Sequence, residues 1–190
     1  MVLTASSSMQ EIRKDISQKM IDVFDQQSYD TEQTYLWAKL GLEFPYNEFR
    51  ACWKWGGQPL VQRLGDKTYS WNGVASLVPS MVSAGLLGYS YTCPDMIGGG
   101  EYSSFLGIDA SSFDQTLIVR SCQIHSMMPM MQFSVAPWRI LNKENLETCI
   151  KYAKWHEQLG DYILSLAKEA SITGGTYRTS HGICFPQSRI

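Results

Sequence analysis

Charge is in short supply in this chain. Charged residues fill 18% of its 190 positions, and 16 Lys+Arg nearly balance 18 Asp+Glu, giving a formal charge of -2. A dedicated nucleic-acid binder carries a basic excess or stripe, and neither is present. Cysteine is also sparse. Cys52, Cys93, Cys122, Cys149 and Cys184 form an odd set with no C-x-x-C pair, which disfavours both a disulfide framework and a zinc ribbon. No apolar run approaches the ~20 residues of a membrane span. The opening MVLTASSSMQEIRKD has no basic start leading into an apolar stretch, so no secretory signal is visible and the compartment stays open. His125, His156 and His181 show no ligand spacing, and neither a metal nor another cofactor is expected. There is no internal repeat and no heptad pattern.

What the chain does have is enough apolar material, 44%, for a real core, together with 12% aromatic residues. Flat rings suit stacking on sugars, and they suit any core equally well. Residues 1–30 are polar and weakly patterned. From Thr31 the run EQTYLWAKLGLEF reads as a helix stopping near Gly41. Short apolar runs follow, each ending in a polar or glycine-rich turn: NEFRACWKW, QPLVQRLGD, LLGYSYTCPDMIGGG and PMMQFSVAPW. Between them SWNGVASLVPSMVSAGL reads as a helix capped by Ser70 and kinked at Pro79. The stretch from Lys143 to Gly174 reads as a helix begun by Asn142 and ended by Gly174, with Gly160 leaving two helices or one bent helix open. Buried strands alternating with helices predict an α/β fold with a parallel sheet.

In such folds the loops at the C-terminal strand ends face the ligand. Two carboxylates stand there: Asp66 after PLVQRLG and Asp95 after LLGYSYTCP. A glycosidase needs two carboxyl groups about 5–5.5 Å apart for retention, or roughly 6.5–9.5 Å for inversion. An Asp at a strand end also serves as a turn residue or helix cap. GGGEYSSF lacks the endings of a phosphate-binding loop and reads as a tight bend below an active site. Met127, Met128, Met130 and Met131 read as adaptable core packing, with an apolar wall for a leaving group as the functional alternative.

The run RLGDKTYSW, from Arg63 to Trp71, followed by SLVPSMVSAGLLGYSYTCPDMIGGG, MPMMQFSVAPWR and the helix ending KEASITG, resembles glycoside hydrolase family 31. The likeness covers roughly Tyr35 to Gly174, with the motifs in order. It implies retaining hydrolysis of α-glycosides in a (β/α)8 TIM barrel, of which residues 31–174 would form the truncated C-terminal half. It implies that Asp66 is the acid/base and that Arg50 contacts the sugar. Trp71 and Asp95 join the substrate-binding set, Asp95 mainly shaping its loop. The implied partner is a carbohydrate, with no nucleic acid and no membrane, and the oligomeric state is open.

The departures from the family refine that picture. Gln132-Phe133-Ser134 stands where many α-glucosidases of the family carry R-x-H. With PDMIGGG, this looks more like the α-galactosidase-type branch, so an α-galactoside is favoured over an α-glucoside. The family's nucleophile motif, F-K-F-D-A-G, does not occur in residues 1–49. Half a barrel would leave two open parallel edges. The alternative is a silent fragment or sugar-binding remnant. Two frame changes are also expected. The codons of Ser8 to Ile12 can spell Asp-Ala-Gly-Asp in another frame. A one-base shift at Gly175 turns 175–190 into the family's continuation, Glu-Pro-Ile-Val-Arg, which makes that tail an out-of-frame translation.

Overall fold

The computed structural model describes residues 30–44, 47–50, 56–100 and 113–174. The expectations for the frame-shifted stretch near Ser8 and for the tail at 175–190, with Cys184 and His181, lie outside those residues. Helix α1 spans Asp30–Gly41, ending where the sequence places its stop. Gly41 is needed there because a Cβ at this position would press on the Phe49 ring and on Leu60.

Three short strands follow: β1 Glu48–Arg50, β2 Val61–Arg63 and β3 Thr92–Cys93. They form one parallel sheet in the order β1-β2-β3, with Arg50 opposite Arg63 and Arg63 opposite Cys93. An isolated parallel bridge joins Ile97 to Phe133, in the fourth of the apolar runs. The sheet sits among helices, and the barrel half expected above reaches no further than these three strands and one bridge among the described residues.

Between β2 and β3 runs α2, Trp71–Leu86. Ser70 caps it, its hydroxyl accepting the Gly73 N–H at 3.0 Å, which satisfies one of the orphan donors of the first turn. Pro79 lies on the exposed side, and the helix continues past it. Leu77 and Met81 of α2 pack on Met128, forming one core with Leu64, Val74 and Ile124 around it.

Helix α3, Gln115–His125, is an element that the sequence reading did not single out. Its start is nonetheless legible: Asp114 accepts the Leu117 N–H at 3.1 Å, and Leu117, Ile118 and Cys122 supply the buried face. Helix α4 runs Lys143–Thr173 without a break at Gly160. A single glycine costs a helix about 1 kcal/mol, and a helix of this length with caps at both ends absorbs it. Asn142 accepts the Asn145 N–H at its start, and Gly174 closes it at φ 69°. The second core joins Ile97, Ile118, Val119, Cys122 and Cys149, so the α3–α4 interface closes against the loop after β3. The methionine cluster divides: Met128 is buried in the core, whereas Met127 is exposed.

Candidate functional site

In a parallel sheet, paired residues point to the same face. The register therefore places Glu48, Arg50, Val61, Arg63 and Cys93 on one face, with Phe49, Gln62 and Thr92 on the other. The first face carries a set of linked polar groups. Arg63 Nε lies 3.3 Å from Glu48 Oε1, and the Gln132 side-chain amide donates to Glu48 Oε2. Cys93 Sγ approaches Gln132 Oε1 at 3.9 Å. Burial and, next, Glu48 push the Cys93 thiol up to about 12, so it stays protonated and is a poor nucleophile.

At the C-terminal edge of that face Arg50 meets Asp66. Arg50 Nη1 lies 2.8 Å from Asp66 Oδ1 and also donates to the Leu64 carbonyl at 3.0 Å. The two side chains keep 55% and 39% of their surface, so a solute can reach both. The hydrogen bond from Arg50 holds the Asp66 carboxyl below the usual carboxylate range against the opposing effect of burial, while Asp66 raises Arg50 in turn. Asp66 is thus ionised in this arrangement. That is the form of a general base.

Asp95 is buried beside this pair. Its side chain has no exposed surface, and Oδ2 accepts the backbone N–H of Lys67 at 2.5 Å and that of Gly100 at 2.8 Å. It ties the loop after β2 to the loop after β3. Oδ1 meets no donor among the described residues. A Cβ on Gly100 would collide with Asp95 Oδ1 and crowd Asp66 Oδ1, so only glycine lets these two carboxylates approach one point.

Trp71, the first residue of α2, is half-exposed, and its indole N–H donates to Asp114 Oδ2 at 3.0 Å. The Tyr69 hydroxyl donates to the Asp114 carbonyl at 2.8 Å, and its ring stacks on Phe113 with centroids 4.7 Å apart. Burial pushes Tyr69 up to about 12. Of the four residues expected at the site, Arg50 and Asp66 touch, Asp95 braces the backbone beside Asp66, and Trp71 is turned to the start of α3.

Gln132 and Ser134 are committed to internal partners. Ser134 Oγ lies 2.6 Å from both the Ile97 and Gly99 carbonyls, and its single proton serves one at a time. The sequence reading missed Glu48 and Arg63, although the alternation Glu48-Phe49-Arg50 carried the signal of a charged strand face. It also gave no role to His125, which is fully buried beside Asp95. Among the described residues no group of three His, Cys, Asp or Glu is placed to hold a metal, and no helix is long and apolar enough to cross a membrane.

No family model matches the chain. Over 118 residues, 59% of this chain and 16% of the other, it is 33% identical to the myogenesis-regulating glycosidase of Mus musculus. Over 82 residues, 42% of this chain and 11% of the other, it is 38% identical to the SITS-binding protein of Tetronarce californica. The chain spans a small part of the length of the curated relatives it matches. Over that part, it is glycosidase-like in sequence.

Proposed function

We propose that the chain carries the acid/base half of a retaining glycosidase site of the family 31 type, acting on α-galactosides in preference to α-glucosides. The observation that carries this reading is the Arg50–Asp66 pair, exposed at the C-terminal edge of a parallel sheet in a chain similar to a protein named as a glycosidase. A truncated barrel half is the architecture that goes with it.

In this reading a sugar hydroxyl takes Arg50 from Asp66. Without its cationic partner the carboxyl rises and can hold a proton. Asp66 then gives that proton to the leaving oxygen as the glycosidic bond breaks. It next takes a proton from the water that attacks the glycosyl-enzyme. The attacking carboxylate has no counterpart motif in residues 1–49. Trp71 offers an aromatic face held in place by Asp114, and Asp95 keeps the loops in register.

A second reading is a ligand-binding chain without catalysis, and a specific finding favours it: one relative is named for binding, as the SITS-binding protein. Incubation with a chromogenic α-galactoside separates the two. Release of the chromophore that is lost in Asp66→Asn supports the enzyme. Saturable binding without release, in both wild type and Asp66→Asn, supports the second reading.

A further inference from the structure

We propose that His125 is a positioning residue for Asp66, acting through the backbone of Asp95. His125 closes α3 and is fully buried, and its Nε2 lies 3.0 Å from the Asp95 carbonyl oxygen. From Asp95 the path runs outward, because its Oδ2 holds the N–H of Lys67, the residue after Asp66, and the N–H of Gly100. One imidazole thereby fixes the residue that fastens both loops of the site. This inference rests on Asp66 being the reacting carboxylate.

The proton inventory decides which ring nitrogen carries the hydrogen. Nδ1 lies 2.7 Å from the Ser121 carbonyl and 3.4 Å from Ser121 Oγ, so carbonyl oxygens face both nitrogens. A neutral ring donates only once. The Ser121 carbonyl lies four residues back on the same helix, where the helix pattern already supplies a donor. The Asp95 carbonyl has no such supply; among the described residues its other donor is the weak Cys93 thiol at 3.5 Å. The proposed role requires the proton on Nε2. Nδ1 then faces the Ser121 hydroxyl at 3.4 Å, which itself accepts the Gly98 N–H at 3.3 Å. The Nδ1 lone pair is set against the Ser121 carbonyl, the cost of a neutral ring here. Burial lowers His125 below its ordinary value, against the opposing effects of the Ser121 and Asp95 carbonyls and of the Asp95 charge.

The role explains why a polar ring occupies this position. Besides Ser121, α3 buries Leu117, Ile118, Val119 and Cys122, yet the Asp95 carbonyl sits in that same interior and needs a donor. Ser134 holds the same loop at the Ile97 and Gly99 carbonyls, and His125 is the ring that meets the Asp95 carbonyl.

The test compares wild type, His125→Leu and His125→Gln by NMR, following the Asp66 carboxyl through a pH titration and the amide exchange of Lys67 and Gly100. In His125→Leu, Asp66 should titrate higher as its contact with Arg50 loosens, and the two amides should exchange about tenfold faster, the loss expected for one hydrogen bond. Glutamine, whose amide nitrogen reaches the Nε2 position, should restore both. An unchanged Asp66 titration with unchanged exchange in folded His125→Leu would overturn the proposal. If that variant does not fold, the imidazole 15N shifts of the wild type decide: protonation at Nε2 supports the role, and protonation at Nδ1 contradicts it. None of these readouts needs turnover, so failure here is distinct from failure of the glycosidase reading.

Discussion

Arg50 at the end of β1 and Asp66 beyond the end of β2 form an ion pair with a 2.8 Å contact, joining two chain segments that the sheet brings side by side. Replacing Arg50 by Met keeps much of the stem and removes the charge. The Asp66 carboxyl should then titrate at higher pH, as read by carbonyl 13C NMR. Its folded value now lies below the unfolded one, so the pair's contribution to stability is complete above the unfolded pKa. It fades as pH falls through the folded value. Both partners are well exposed, and solvent screening limits the loss at neutral pH to under about 1 kcal/mol. Denaturation of Arg50→Met should therefore differ from wild type slightly at pH 7 and converge with it in acid.

Asp95 is a different kind of carboxylate. Its removal leaves the Lys67 and Gly100 amides without their acceptor in a water-poor interior. Asp95→Ala should cost at least about 1.5–3 kcal/mol, the range for hydrogen bonds to a charged group, measured by urea denaturation. A cost near zero would mean that the two loops are held by something else.

Two glycines make a controlled pair. Gly99 sits at φ 93°, and a Cβ there would strike the Lys67 carbonyl, so Gly99→Ala should destabilise by about 1–2 kcal/mol or more. Gly160 lies inside α4 with nothing within 4 Å of the position of a Cβ. Gly160→Ala should stabilise the protein by about 0.5–1 kcal/mol. Thermal melts of the two variants should move in opposite directions.

Much of the fold was legible because the signals were local. Ser70, Asn142 and Gly174 cap helices by bonds that reach no further than four residues, and their types announce the caps. Asp66 was placed at a strand end by its run, and Arg50 was marked for the site by the resemblance; their contact comes from the sheet. The rest was not local. Helix α3 has a mixed sequence, and its apolar stripe emerges against α4 and the loop after β3. The roles of His125 and Gly100 depend on a carbonyl and on two carboxylates contributed by other segments, which no spacing within their own runs encodes. Continuity through Gly160 likewise reflects the length and caps of α4 more than the propensity of one residue.

The central claim is that Asp66 delivers a proton to a glycosidic oxygen, and it can be tested with a nucleophile added from outside. Azide would attack the anomeric carbon of a phenyl α-galactoside from the face opposite the aglycone. The C–O bond pair would leave on the phenolic oxygen, and Asp66 would protonate it. The account predicts β-galactosyl azide from the wild-type chain at mildly acidic pH, formed some 10²–10⁴-fold more slowly by Asp66→Asn. Absence of that product, or equal rates for the two proteins, would contradict it.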